Sequence, residues 1–203
     1  MKENGFEYVD LGLPSGTMWA TCNVGANKPE DEGLLFQFGR VDGYKYGDTN
    51  NKFVTDDITT ASGKTYKENE ILCLTDDAAH VNMGGKWRMP TGRFNSSTRQ
   101  YEGEWGELLN NTTYDVATVN GVKGMMFTSN INGHQLFIPF MQGCWYDGTW
   151  FSSGGLYASM WSSQVGPSNR IYAYLLYCNY SSLACTGGNR CSCAFSVRGV
   201  FRK

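Results

Sequence analysis

More than fifty consecutive residues near the end of the chain contain no Lys, Asp or Glu. These residues are absent between Gly148 and Val200, although they are spread through the first 147 positions. Tyr, Ser, Asn, Gly, Cys and Ala predominate instead, with a few Arg. This composition is typical of recognition surfaces, because Tyr offers a large rigid contact area and Ser, Gly and Asn offer adaptable hydrogen bonds. Catalytic sites need placed acids, bases or nucleophiles, so the segment favours binding over catalysis.

The overall composition is that of a folded, loop-rich and mostly β protein. The chain has 25 Gly among its 203 residues, and 14% of the residues are aromatic. Such a composition without long polar runs argues against disorder. The length is sufficient to bury a core, and no linker or internal repeat divides the chain. We therefore expect a single domain over 1–203.

The charge pattern and the lack of long apolar runs exclude some classes of partner. The formal net charge is −2, with +5 carried by residues 148–203 and −7 by the remainder. The positive residues are too sparse for the dense basic stripe that nucleic acid requires, so no nucleic-acid partner is expected. No apolar run approaches the roughly 20 residues of a membrane span. The first residues lack a basic-then-apolar pattern, so we expect no signal peptide.

The cysteines allow three interpretations. An odd number without a secretory signal argues against a full disulfide framework. A zinc site would need C-x₂₋₄-C spacing and a nearby His, and a redox or copper pair would need close thiols. A C-x-C pair on a strand would instead place both thiols on one face, too far apart to bond easily. We favour free, partly exposed thiols and expect neither metal nor cofactor. The seven cysteines are Cys22, Cys73, Cys144, Cys178, Cys185, Cys191 and Cys193.

The periodicity predicts one or two early helices and late antiparallel strands. Trp105, Leu108 and Leu109 fall at i, i+3 and i+4 and predict a helix that Asn110 and Asn111 end. One helical turn capped by Thr75 is expected in the run TDDAAHVNMG. An Asn-Gly turn at Asn120–Gly121 predicts a hairpin, and further short strands follow it. The pattern as a whole favours an α+β domain.

Eight motifs, in order, carry a resemblance to a known family. They are YVDLGLPSGTMWATCNVGANKPED, KWRMPT, EWGELLNN, NGVKG, LFIPF, WSS, AYLLY and FSVRGV. Spanning Tyr8 to Arg202, they resemble the Fibrobacter-type major paralogous domain common in gut Bacteroidales. The resemblance implies a C-type lectin-like fold, which is also formylglycine-generating-enzyme-like. Two positions depart from the family, which usually has Pro in place of Gly199 and Gly in place of Ala194.

The end of the chain, from Trp161 to Val200, further resembles the variable region of diversity-generating retroelement target proteins. In these proteins a reverse transcriptase misreads template adenines, so Asn codons become codons for Tyr, Ser, Thr, Gly, Cys, Arg, Ala, Leu or His. Lys, Glu, Gln, Met and Trp are not expected products, so Met160, Trp161 and Gln164 would be fixed. The resemblance implies a hypervariable, ligand-binding region over 157–200 and a location on a phage particle or a bacterial cell surface.

Strand alternation separates two faces in the run AYLLYCNY. Leu175, Tyr177 and Asn179 share one face, and the residues between them share the other. The resemblance implies that Leu176 lies in the core, so we assign the first face to ligand. A slip of one residue in register would reverse this assignment. The predicted ligand-binding residues are Tyr157, Ser159, Asn169, Tyr172, Leu175, Tyr177, Asn179, Tyr180, Thr186, Asn189, Cys191 and Cys193.

The leading hypothesis is a ligand-binding protein, not an enzyme, that recognises a protein or cell-surface ligand. One alternative is an oxidase of the formylglycine-generating type that works through cysteine and a metal. Another is a surface adhesin module without diversification. The scaffold is expected to be held by Trp87, Arg88, Trp105, Trp161, Phe195 and Arg198. For Arg198 we predict an ion pair with Glu104 or Glu107.

Overall fold

The computed structural model describes residues 1–48, 60–152, 154–167, 172–181 and 184–203. Its strands β1 to β8 are Lys2–Glu3, Phe6–Asp10, Thr17–Asn23, Leu35–Gln37, Arg93–Asn95, Gln100–Glu102, Thr112–Val119 and Val122–Ser129. Strands β9 to β16 are Gln135–Pro139, Gln142–Cys144, Trp150–Ser152, Tyr157–Val165, Tyr172–Asn179, Ala184–Arg190, Ala194–Ser196 and Arg198–Arg202. The helices in the described part are α1, Ala78–Met83, and α2, Gly103–Asn111, with a 3₁₀ turn at Leu74–Asp76.

The expected α+β, C-type lectin-like fold class is wrong. Strands account for 46% of the residues that the structure describes and helices for 10%, so the fold is β-rich. Helices α1 and α2 contain only six and nine residues, too few to form a helical layer of their own. The composition, which favoured a mostly β protein, was the better guide.

Two local predictions are confirmed and one is wrong. Helix α2 spans the predicted apolar stripe and ends at Asn111. Strands β7 and β8 form the predicted hairpin, with φ angles of 48° at Asn120 and 85° at Gly121. The cap of α1 is Asp77, not Thr75, because the Asp77 carboxylate accepts a hydrogen bond from the backbone N–H of His80.

Four sheets organise the chain. A four-stranded sheet has the order β1-β2-β3-β16, a three-stranded sheet the order β7-β8-β9, and β5 and β6 form a hairpin. The largest sheet follows the path β11-β10-β15-β12-β13-β14, and β4 also pairs with β15. Within it β12, β13 and β14 are antiparallel neighbours, whereas β12 runs parallel to β15. The late strands β12, β13 and β14 therefore lie side by side in one sheet, whereas the last strand, β16, joins the four-stranded sheet.

Both faces of the largest sheet meet a hydrophobic core. On one face, Trp161 and Leu175 pack in a cluster that includes Phe195. On the other face, Met160 and Leu176 pack in a second cluster. Because side chains alternate between the two faces along β12 and β13, these strands contribute residues to both cores. The expected burial of Leu176 is confirmed.

The predicted ion pair of Arg198 is wrong. The guanidinium is fully buried and donates hydrogen bonds to the carbonyl oxygens of Ala20 and Phe137. Burial lowers the pKa of Arg198 to about 10. Glu104 pairs instead with Arg88 and Arg202. The expected burial of Trp87, Trp105, Trp161 and Phe195 is confirmed.

Candidate ligand-binding face

The register of β12, β13 and β14 confirms the predicted separation of the two faces. Ser159 lies opposite Tyr177, and Tyr177 lies opposite Cys185. Trp161, Leu175 and Gly187 form the next row across the same three strands. Since directly paired residues project to the same side of a sheet, these rows build one face, which we call the site face.

A cavity of about 410 Å³ opens on the site face. Five of its lining residues belong to the set predicted from sequence: Tyr157, Ser159, Leu175, Tyr177 and Asn189. The other lining residues are Trp145, Cys185, Gly187, Gly188 and Phe195. None of these residues carries a charge at neutral pH, so the cavity is neutral and largely apolar. Whether they contact a ligand stays a prediction.

Gly187 leaves the space that the cavity occupies. It lies opposite Leu175, with Cys185 and Asn189 two residues away along the same face of β14. Among the described residues, a Cβ atom at Gly187 would meet Leu175 Cδ1 alone, at 3.6 Å, which is an ordinary contact. A side chain at this position would therefore project into the cavity and not into the scaffold.

A second wall of the cavity comes from the β10–β11 hairpin, which the sequence analysis did not select. Trp145 stacks on Phe151 with ring centroids 4.3 Å apart and an interplanar angle of 25°. Phe151 in turn lies 6.0 Å from Tyr157, and Tyr157 lies 5.8 Å from Tyr177. These four residues form a continuous series of rings that we call the aromatic row. The only sequence signal was the density of aromatic residues around the Asp147–Gly148 turn.

The hairpin is held against the sheet by strand pairing and by a ring contact. Cys144 pairs with Ala194 of β15, which itself pairs with β12. At the hairpin tip, the guanidinium of Arg190 lies 4.3 Å from the centre of the Tyr146 ring. Such a cation–π contact contributes about 0.5–1 kcal/mol at an exposed site. Two segments distant in sequence thus enclose the cavity.

The remaining predicted residues lie in other environments. Tyr172 and Tyr180 are exposed, at 40% and 62%, and Asn179 is half-buried beside Tyr157 on the site face. Thr186 is 7% exposed and lies opposite Leu176, so its side chain belongs to the other face. Asn169 lies outside the described residues.

The Cys191-Ser192-Cys193 run is not on a strand, contrary to our expectation. It forms a turn between β14 and β15, in which the N–H of Cys193 donates to the carbonyl oxygen of Arg190. Both cysteines are buried, at 6% and 0% exposed, so the structure does not present them to a ligand at the site face. The turn buries them because it folds back into the core beside Trp161.

None of the seven cysteines forms a disulfide bond, and their environments differ. Burial raises the pKa of Cys185, and burial with the nearby Asp147 raises that of Cys144 to about 11. Burial would also raise the pKa of Cys73, but hydrogen bonds with the hydroxyls of Thr75 and Tyr66 outweigh it and lower the pKa. Within the described ranges, no group of three or more His, Cys, Asp or Glu is arranged to hold a metal ion.

We expect a thiol-reactive reagent to divide the cysteines into two classes. With Ellman's reagent at pH 8, the half-buried Cys22, Cys73 and Cys185 should react at least about tenfold faster than the buried ones, and Cys73 first, because thiolate fraction and access set the rate. A Cys73→Ser variant should lose the fastest phase, as measured by absorbance. Uniform rates for all seven thiols would contradict the burial described above.

The surroundings of Tyr157 in the aromatic row change the pKa of its phenol. Burial, and then the neighbouring Tyr177, raises the pKa of Tyr157, so this phenol stays protonated well above neutral pH.

No helix of the described part is long and apolar enough to cross a membrane. Comparisons of the chain with protein-family models, with curated proteins and with solved structures gave no match.

Proposed function

We propose that this chain is a ligand-binding protein that recognises a protein or cell-surface ligand through the cavity and the aromatic row beside it. One observation carries the proposal. A single neutral cavity is lined by five of the residues that the sequence predicted to bind ligand. The four rings of the aromatic row lie at the edge of this cavity. Concave, mostly apolar sites with a few polar groups are typical of ligand binding.

The chemistry of the lining supports binding more than catalysis. Its only nucleophile of note is Cys185, and burial raises the pKa of that thiol, which disfavours the reactive thiolate. The described lining residues include no carboxylate, imidazole or amine for proton transfer. They offer instead large aromatic surfaces, which contribute most of the energy at many interfaces.

We also propose that residues 157–200 are diversified by a retroelement. Two positions that such a mechanism cannot produce, Met160 and Trp161, are fully buried in the two cores. The permitted residue types Tyr157, Ser159 and Tyr177 lie on the site face. Diversification would therefore replace residues mainly at positions where the scaffold tolerates substitution.

Sequencing around the gene tests diversification. We expect a near-identical template repeat that differs from the segment encoding 157–200 only at adenines, with a reverse transcriptase gene beside it. Clonal isolates should then differ at codons such as those of Tyr157 and Tyr177. An invariant segment without a repeat would favour the non-diversified adhesin.

The binding function is tested by removing one exposed ring. A fluorescent tetramer of the chain would be titrated on a panel of intact bacterial cells, with Trp145→Ala as the test variant. We expect about tenfold or greater loss of affinity, because an aromatic hot spot contributes about 2 kcal/mol. Phe94→Ala is the matched control, since Phe94 is 39% exposed and Trp145 is 37% exposed. Equal binding by both variants would contradict the proposed site.

A further inference from the structure

Resting on the proposed function, we infer that the cavity on the site face receives an uncharged aromatic side chain of a protein partner. The chemistry of the ligand group follows from the charge, shape and hydrogen-bonding capacity of the lining. Each of these properties can be read from residues of β12, β13, β14 and the β10–β11 hairpin.

The lining excludes a charged group. None of the ten lining residues is ionised at neutral pH, and the phenol of Tyr157 is held protonated by burial. A carboxylate or an ammonium that entered would lose its hydration without gaining a counter-charge. Burying an unpaired charge in this way is strongly unfavourable, so a neutral group is selected.

The shape suits one bulky ring. The cavity volume of about 410 Å³ lies near the lower end of the range for ligand pockets, about 300–1,000 Å³. Its apolar lining includes Leu175 and Phe195, and the missing side chain at Gly187 leaves room beside them. Tyr157 and Tyr177 add ring surfaces, and aromatic pairs gain about 0.5–1.5 kcal/mol beyond the area they bury.

A few polar groups remain to orient such a ring. The hydroxyls of Tyr157, Ser159 and Tyr177 make no hydrogen bond to any residue that the structure describes. The amide oxygen of Asn189 already accepts from the backbone N–H of Arg190, which leaves its N–H₂ group as a donor. These groups match the single hydroxyl of a phenol or the N–H of an indole.

A glycan fits the lining less well. A sugar ring carries several hydroxyls, and each one buried without a partner costs about 1–3 kcal/mol. Leu175, Gly187 and Phe195 offer no side-chain partner for them. We therefore assign the cavity to an aromatic side chain, and a glycan is an outcome that the test distinguishes.

The experiment is a titration of the ¹⁵N-labelled chain followed by amide chemical shifts. The probes are p-cresol and indole as analogues of Tyr and Trp, 4-hydroxybenzoate as the charged counterpart of p-cresol, and the methyl glycosides of glucose, galactose and mannose. We expect p-cresol and indole to shift the amides of Ser159, Gly187 and Asn189. We expect 4-hydroxybenzoate to bind at least tenfold more weakly and the glycosides to leave these amides unshifted.

Filling the cavity provides the matched control. The series Gly187→Ala, Gly187→Val and Gly187→Phe should weaken p-cresol binding progressively, with the smaller changes informative even if the largest one prevents folding. Tyr174→Phe is the control variant, because Tyr174 lies opposite Gly188, projects to the other face and does not line the cavity. Its affinity for p-cresol should stay within twofold of that of the unmodified chain.

Three results would overturn the inference. Equal affinity for p-cresol and 4-hydroxybenzoate would show that charge is not excluded. Glycosides that shift these amides in place of p-cresol, and that are blocked by Gly187→Phe, would identify a glycan site and leave the proposed function standing. If no probe shifts the amides, the inference fails, while the cell titration with Trp145→Ala still decides whether the face binds a ligand.

Discussion

Replacement of Trp161 by Ala is expected to lower the free energy of unfolding by about 3–5 kcal/mol. Trp161 is fully buried, and its indole N–H donates to the carbonyl oxygen of Phe36 at 2.8 Å. Its ring lies 4.9 Å from that of Phe195 and 5.7 Å from that of Phe38. Truncation would leave a cavity in the core that contains Trp161, Leu175 and Phe195, which packs against part of the site face. Urea denaturation followed by fluorescence and circular dichroism measures the loss.

Trp145→Ala is the control for the stability measurement on Trp161→Ala. Trp145 is 37% exposed and stacks on Phe151 at the hairpin, so its loss should cost less than about 1 kcal/mol, as for surface changes away from special features. The Trp-to-Ala substitution should thus destabilise the fold strongly at Trp161 and only slightly at Trp145. Similar losses at both positions would mean that the hairpin is part of the core.

Replacement of Glu104 by Ala is expected to cost about 1–3 kcal/mol, because it leaves the backbone N–H of Thr91 and the half-buried guanidinium of Arg88 without their acceptor. The carboxylate is 3% exposed and binds the guanidinium groups of Arg88 and Arg202. It also accepts hydrogen bonds from the backbone N–H and the hydroxyl of Thr91, at 2.7 and 2.6 Å. One residue of α2 thereby ties the helix to two other segments.

The contribution of Glu104 should depend on pH in a defined direction. Burial alone would raise its pKa, but the ion pair with Arg88 and the hydrogen bonds from Thr91 outweigh burial and lower it. A carboxylate whose folded pKa is depressed stabilises the fold above its unfolded pKa, and this stability is lost as pH falls through the folded pKa.

Denaturant titrations of the unmodified chain and of Glu104→Gln at pH 7, 5, 4 and 3 measure this effect. The difference in free energy should be largest at neutral pH and should shrink below about pH 4.3, the unperturbed Glu value. Glu102→Gln, which breaks a more exposed, half-buried pair with Arg93, should have a much smaller effect at every pH. A pH-independent difference for Glu104→Gln would contradict the ionic role.

Local patterns were readable from the sequence where neighbouring residues decide the structure. The spacing of Trp105, Leu108 and Leu109 located α2, and Asn120–Gly121 located a hairpin. Alternation along β13 placed Tyr177 on the site face, because side-chain direction in a strand follows position alone.

Features that depend on long-range pairing were not readable. Trp145 reaches the cavity only because Cys144 pairs with Ala194, fifty positions away in sequence. Thr186 has a polar side chain typical of a surface, yet its register opposite Leu176 buries it. The guanidinium of Arg198 donates to backbone carbonyl oxygens and not to an acid. The fold class was misjudged because two short helices were given more weight than many short strands.

The central claim is that Tyr157, Ser159, Tyr177 and Asn189 on the site face are not needed by the scaffold. The most direct test is to randomise Tyr157, Ser159, Tyr177 and Asn189 together in a displayed library and to score folding by protease resistance. A matched library on the opposite face of the same strands would randomise Ala158, Met160, Leu176 and Thr186. We predict that most members of the first library stay folded and most of the second do not. Equal loss of folding in both libraries would contradict the claim.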